Sequence, residues 1–333
     1  NFNANIADDL IVWESNLEGN FDIFAHRLST GETFQITNHQ DEQYLNDVFG
    51  NLVAYADTRN GAEDIYISRL SFYVTIPDPN FEQALIDLGI DSDGTINQRV
   101  DKLDVSEITS LVIDQKNIND LTGIEGFINL QELDCSYNQI SSADLSTNSQ
   151  LTYLDIRGNL LSSLDISQNP YLTYINCRNN NLETLDLTTN NALTELNCSQ
   201  NKITALDLSG NSNLRIIECS DNQLSALDIS SNLLLEELKS YTNNLTYLNV
   251  IQNQNLRILG CGNNQLTFVI VDANPLLEEL YVDINQLTHL FVNNNPKLRR
   301  LYCFSNQIES LDMRNTPLFT DLWPRRNNST NLE

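Results

Sequence analysis

Asparagine recurs every 21 residues, at Asn138, Asn159, Asn180, Asn201, Asn222, Asn243, Asn264, Asn285, Asn306 and Asn327. A spacing held over ten positions fixes the length of a structural unit, and a unit this short cannot bury its own apolar face. Two further series keep the same phase. One is Asn148, Asn169, Asn190, Asn211, Asn232, Asn253, Asn274 and Asn295; the other runs from Leu133, Leu154 and Ile175 to Leu301 and Leu322. Each unit reads L-x-x-L-x-C-x-x-N-x-L-x-x-L-D-L-x-x-N-x-x. Neighbouring units must therefore stack, with the leucines pointing inward from a short strand of period 2. The asparagine amide carries both donor and acceptor groups. Turned inward, it can satisfy the backbone of adjacent turns where the chain bends. A polar surface loop would leave the strict spacing unexplained.

This unit resembles the leucine-rich-repeat family, in a 21-residue form common in surface proteins of Bacteroidetes, over about residues 108–327. The expected architecture is mainly β: a right-handed solenoid with one turn per unit. The second half of each unit also alternates, as in Leu164-Asp165-Ile166 and Leu185-Asp186-Leu187. Two narrow parallel sheets are therefore expected on opposite sides of the solenoid.

Cys135, Cys177, Cys198, Cys219, Cys261 and Cys303 all lie three residues before the repeat asparagine, and Ile156 and Val282 fill the same slot elsewhere. The slot is that of a small apolar core residue. Stacked strands hold such residues side by side about 4.8 Å apart, a poor arrangement for disulfide torsions. No C-x-x-C pair suggests zinc. Six free, buried thiols are expected.

Residues 1–71 carry a different repeat. Trp13-Glu14-Ser15-Asn16, Gly19 and Asp22-Ile23-Phe24 return as Tyr55-Ala56-Asp57-Thr58, Gly61 and Asp64-Ile65-Tyr66, an offset of 42. That is the length of a four-stranded blade. The residues resemble TolB-type β-propeller repeats, which implies a small antiparallel segment and protein binding. Residues 72–107 read as a helical cap over the open end of the solenoid core, which occupies 108–333. Asp78-Pro79 supplies an N-cap and a first-turn proline. Phe81, Ala84, Leu85 and Leu88 form one apolar face, and Gly89 stops the helix. Asp91-Ser92-Asp93-Gly94 resembles half of a calcium loop but fails the EF-hand pattern at its first and last positions, so it reads as an acidic turn.

The formal charge is −27. Such a surface repels nucleic acid and anionic lipid, and no apolar run is long enough to span a membrane. The chain opens at Asn1 and closes on Leu332-Glu333, which reads as a fragment ending in a cloning remnant.

No catalytic constellation is apparent. His26, His39 and His289 lie far apart in the chain, and no nucleophile elbow, phosphate loop or dinucleotide fingerprint is present. Asp144, Asp165, Asp186, Asp207 and Asp228 form a ladder that reads as a solvent-facing part of the repeat. No metal and no cofactor is implied. Function is sought instead where outward positions leave the consensus. On the first sheet the column Asp134, Asp155, Asn176, Asn197, Glu218, Lys239, Gly260 is expected to be exposed and ends in Tyr281, Tyr302 and Trp323. Phe304, Arg300, Arg325 and Arg326 lie beside these rings, with Arg299 next in sequence to Arg300. Stacking rings and bidentate arginines suit a protein or an anionic polysaccharide. On the second sheet Tyr247, Phe268, Ile270, His289 and Phe291 make a secondary contact patch. The chain thus reads as a non-catalytic, secreted or cell-surface binding module. The alternative is an ancillary or spacer region of a larger secreted enzyme, such as a polysaccharide-degrading one.

Overall fold

The repeat asparagines turn inward and tie each turn to the one before it. The side chain of Asn201 shows the pattern. Its Oδ1 accepts the Leu182 N–H at 3.0 Å, and its Nδ2 donates to the carbonyls of Cys177 (3.0 Å) and Cys198 (3.1 Å). The same acceptor bond recurs from Ile140 onto Asn159 to Ile308 onto Asn327. The residue just before each of these asparagines has positive φ, from 50° at Thr242 and Ile284 to 67° at Gly158. Only one of these ten residues is glycine. For a side-chain-bearing residue this left-handed conformation costs roughly 1–2 kcal/mol, so the side-chain amide must hold the corner closed. The second asparagine series ties successive turns together at the opposite corner through its Nδ2 donors alone. Asn211 Nδ2 donates to Leu187 O at 3.2 Å and to Asn190 O at 2.9 Å.

The computed structural model describes residues 2–7, 9–16, 19–28, 31–70, 72–328 and 331–332. The chain divides into two units, Asn1–Tyr73 and Val74–Glu333. The second is the solenoid. Eleven parallel strands, from Ser110–Val112 to Asp321–Trp323, form one sheet. Successive strands pair in register, so Leu133, Leu154 and Ile175 lie side by side. These leucines and isoleucines are buried in one continuous core.

Among the described residues the other side of the solenoid forms strands only near its end: Leu290–Phe291, Ser310–Asp312 and Asn331–Leu332 make a three-stranded parallel sheet. In earlier turns the expected alternation survives without strand pairing. Leu164 and Ile166 are buried and Asp165 is exposed. There the Asp accepts a backbone N–H two residues on, from Ser167 at 3.0 Å, which bends the chain into a turn.

The cap begins with α1 (Pro79–Asp87). Asp78 caps its first turn by accepting from Asn80 and Phe81 N–H, and its other oxygen accepts from Asn119 and Asp120 N–H at 2.7 and 3.1 Å. One carboxylate thus fastens the helix to the first turn of the solenoid. Phe81, Ala84 and Leu85 are buried, but Leu88 is exposed, because it is the C-cap residue and the helix has already ended.

The first unit holds two small antiparallel sheets. One contains β1 (Phe2–Ala7), β2 (Leu10–Ser15), β3 (Asp22–Arg27) and β4 (Thr33–Gln35); the other contains β5 (Gln43–Phe49), β6 (Leu52–Asp57) and β7 (Asp64–Arg69). They pack face to face around Val12, Ile23, Leu45 and Val53. Glu14 of β2 accepts the Leu45 N–H of β5 at 2.8 Å.

All six cysteines are buried and unpaired. Ser240, also buried, occupies the same slot. Burial pushes the thiols of Cys198, Cys261 and Cys303 up to about 12. Native protein at pH 8 is therefore expected to be inert to a thiol reagent, and unreduced, denatured protein to show six reactive groups; two or fewer would refute the free-thiol column. Asn201→Ala is expected to cost about 2–4 kcal/mol in urea unfolding, because it strands a buried N–H and two buried carbonyls. Ile284→Asn is expected to stabilise by about 0.5–1 kcal/mol, because Asn tolerates left-handed φ and Ile284 is 44% exposed. A loss of stability there would mean that the isoleucine side chain contributes more than its strain.

Candidate functional site

Because the parallel strands pair in register, each outward position of the repeat becomes a column across the sheet. In the column that ends with Tyr281, Tyr302 and Trp323, Tyr302 and Trp323 stack and Tyr281 packs tilted against Tyr302. The centroid separation is 5.0 Å for Tyr281–Tyr302 and 5.7 Å for Tyr302–Trp323, with interplanar angles of 41° and 18°. At such separations the ring faces are largely turned to each other, leaving edges and polar tips outward. Those tips are held in place. The Tyr281 hydroxyl donates to Glu279 at 2.5 Å, the Tyr302 hydroxyl to Asp321 at 3.1 Å, and Trp323 Nε1 to the other Asp321 oxygen at 2.8 Å. The Asp321 carboxylate pushes the Tyr302 phenol up, so it remains a donor at neutral pH.

A fourth ring joins the strip. Tyr241, from the neighbouring column, meets Tyr281 edge-on at 6.2 Å. It lies across Gly260, where an added Cβ would come within 2.3 Å of its ring. The sequence reading missed Tyr241. The signal was the glycine itself, standing in a column where other turns carry a side chain.

Arg300 shares the face with Tyr302, but its guanidinium is engaged by Glu279 at 2.9 Å. Arg325 lies 5.7 Å from the Trp323 ring centroid, Arg326 is exposed with φ 61°, and Phe304 is half-buried. The local charge is therefore mixed, since Glu279, Asp283 and Asp321 stand among the same rings.

The earlier part of the column is not uniformly exposed. Asp155 and Asn176 are buried. They lie beside Tyr153 and Tyr174, whose rings stack at 4.4 Å and 5°, and beside Arg157, which pairs with Asp155 at 3.4 Å and sits 5.2 Å from the Tyr137 ring centroid. Burial raises the Asp155 carboxyl, against the opposing effects of the Arg157 N–H and guanidinium. Between the two aromatic groups, Ile216 and Ile258 floor a shallow groove of about 270 Å³ whose rim includes Glu237, Glu279 and the Arg257–Glu278 pair.

On the opposite side, Tyr247, Phe268, Ile270, His289 and Phe291 are exposed, and Tyr247 meets Phe268 edge-on at 5.6 Å. The neighbouring aspartate ladder faces solvent. Asp144, Asp165, Asp186, Asp207 and Asp228 each accept the N–H of a Ser or Thr two residues on, at 2.9–3.0 Å. Those bonds hold the carboxyls below their usual range, as the Ser146 hydroxyl does for Asp144. This is the opposite of the raised carboxyl that a general acid requires. His26, His39 and His289 are bonded to Thr33, Asp41 and Thr288. Among the described residues no group of three or more His, Cys, Asp or Glu is arranged to hold a metal, and no helix is long and apolar enough to cross a membrane.

No protein-family model and no curated protein matches the chain. Solved structures do. The functional domain of InlJ from Listeria monocytogenes, which includes a cysteine ladder, is 31% identical over 77% of this chain and 62% of that one, with a TM-score of 0.65. The leucine-rich repeat domain of APL1B is 26% identical over 66% of this chain and 72% of that one, with a TM-score of 0.54. A chain of the LRIM1/APL1C complex is 27% identical over 66% and 43%, with a TM-score of 0.58. This chain thus spans less than two thirds of the InlJ structure. The second unit is a leucine-rich-repeat solenoid.

Proposed function

We propose that this protein is a non-catalytic binding module that takes a protein partner on the sheet face around Tyr281, Tyr302 and Trp323. The observation that carries this reading is the anchored aromatic strip. Three of the four rings are pre-set by carboxylates and the fourth, Tyr241, packs edge-on against Tyr281, so little side-chain entropy is lost when a partner covers them. Buried tyrosine, tryptophan and arginine dominate the energetics of protein interfaces. The adjoining isoleucine groove gives the strip an apolar continuation. Mixed charge at the rim suits a protein, whose own surface can present both signs. The similarity to a chain of the LRIM1/APL1C complex supports the same class of partner.

An anionic polysaccharide is the weaker reading. Sugars stack on ring faces, which here face one another, and Arg300 is already engaged. The resemblance of the repeat to bacterial surface proteins supports a secreted or cell-surface setting. It leaves room for this module to be the ancillary part of a larger secreted enzyme, whose chemistry would lie in another domain.

The test is selection of a displayed protein-fragment library on the immobilised chain, with polygalacturonate as the anionic polysaccharide. Selected fragments are expected to bind Tyr302→Ala at least about tenfold more weakly and Asp186→Ala as they bind the parent. Polygalacturonate is expected not to bind. Fragments indifferent to both Tyr302→Ala and Trp323→Ala would remove this face and favour the Tyr247–Phe268–Phe291 patch. Polygalacturonate binding lost in Tyr302→Ala would instead establish the glycan reading.

A further inference from the structure

Three strands of each sheet of the first unit correspond at an offset of 42 residues: β2 and β3 map onto β6 and β7 residue for residue, and β1 falls on β5. They therefore present equivalent faces, and burial differs between the equivalents in a systematic way. The first sheet turns Leu10, Val12, Ile23 and Ala25 onto the second. All four are buried, with exposures of 2% for Leu10 and 0% for Ile23. Their counterparts on the second sheet are Leu52, Ala54, Ile65 and Ile67. Leu52 is 40% exposed, Ile65 66% and Ile67 67%. Phe49, paired with Leu52 across the strands, adds an exposed ring to the same face.

The receiving side shows the mirror of this. The second sheet meets the first with Val48, Val53 and Tyr55, all buried. Their counterparts on the first sheet are Ile6, Ile11 and Trp13. Ile6 is 70% exposed, and Ile11 and Trp13 are half-buried. Even the aromatic pairs correspond. Tyr55–Tyr66 lies at 5.9 Å and 19°, and Trp13–Phe24 at 6.1 Å and 19°. The unit therefore carries one internal sheet-to-sheet interface and, at its two ends, the two halves of another.

We propose that these end faces bind each other between copies, so that the chain self-associates head to tail, with Ile6, Ile11 and Trp13 of one copy seated on Leu52, Ile65 and Ile67 of the next. The internal interface supplies the shape complementarity. Charge does not oppose the same pairing: the apolar residues of both sets are uncharged and the second sheet's outer face adds one acid, Asp47, and one base, Arg69, in a chain whose formal charge of −27 opposes contact between copies elsewhere. The intermolecular contact is weaker than the internal one. Glu14, which receives the Leu45 N–H inside the unit, corresponds to Ala56, so that hydrogen bond has no equivalent between copies. A head-to-tail contact either closes into a ring or grows into a filament. Sheets stacked radially close at roughly four to eight. With two sheets per copy, a ring of two to four copies is expected.

The experiment is sedimentation velocity on the whole 333-residue chain from about 1 to about 200 µM, a range that reads micromolar affinity. The parent is expected to move from the 37.7 kDa monomer to a species two to four times heavier. Ile65→Asp and Ile6→Asp each spoil one face at an exposed position and are expected to stay monomeric alone. Mixed together they retain one intact face each, so they are expected to form a one-to-one dimer and nothing larger. A parent that remains monomeric throughout overturns the proposal, as does association that persists in both variants. A mixture that fails to dimerise, with both variants folded by near-ultraviolet circular dichroism, overturns it as well.

Discussion

The inward asparagine amide is the interaction on which the solenoid depends. A parallel strand of three residues contributes few hydrogen bonds, and the chain must reverse direction sharply after each one. At every reversal the backbone enters a left-handed conformation, at residues as unsuited to it as Thr242 and Ile284. One side chain with a donor and an acceptor meets the exposed N–H and carbonyl groups of two successive turns at once. Removing it would leave both the strained corner and unsatisfied buried polar groups, and the leucine column alone cannot compensate for either. Aspartate has the same shape but cannot donate, so only asparagine serves.

That dependence explains what could be read from the sequence. The asparagine, leucine and cysteine columns have fixed positions because each sits in an identical environment, and identical environments leave a period in the chain. The cap was legible through a different signal, the helix start at Asp78 and Pro79 and the stop at Gly89. The extent of the second sheet was not. Its alternation of Leu, Asp and Ile is the pattern of a strand, but the Asp side chain also accepts its own downstream N–H, and that local bond competes with pairing to the next turn. Strands form at Leu290–Phe291 and Ser310–Asp312 but not at the turns of Asn249 and Ile270, so loss of the aspartate is not by itself what starts the second sheet.

The aromatic column was legible as a column, since register follows from the period. What the column does was less so. Exposure was misjudged at Asp155 and Asn176, because it depends on neighbours such as Tyr153 and Arg157 that belong to other columns. Tyr241 was overlooked because it reaches its ring partners across a glycine. The pairing of Arg300 with Glu279 shows the same limit. Which carboxylate an arginine meets is a matter of lateral distance between strands, and no period encodes it. The faces of the first unit are instructive in the other direction. There a repeat of two allowed each residue to be compared with its own counterpart in a different setting, and burial in one predicts what exposure in the other leaves unfulfilled.

The 21-residue turn also makes the solenoid a ruler. Because each repeat asparagine side chain bonds only to its own turn and the one before, and the backbone bonds repeat from turn to turn, a whole turn can be removed or added without changing the local surroundings of the others. The aromatic strip would move by one strand spacing along the axis, about 4.8 Å, and would keep its internal geometry. An insertion of any other length would break a corner and throw every later column out of line. Length in such a chain is therefore quantised: it can be tuned in steps of one strand, and the distance between the cap and the binding face can change while the face itself stays the same.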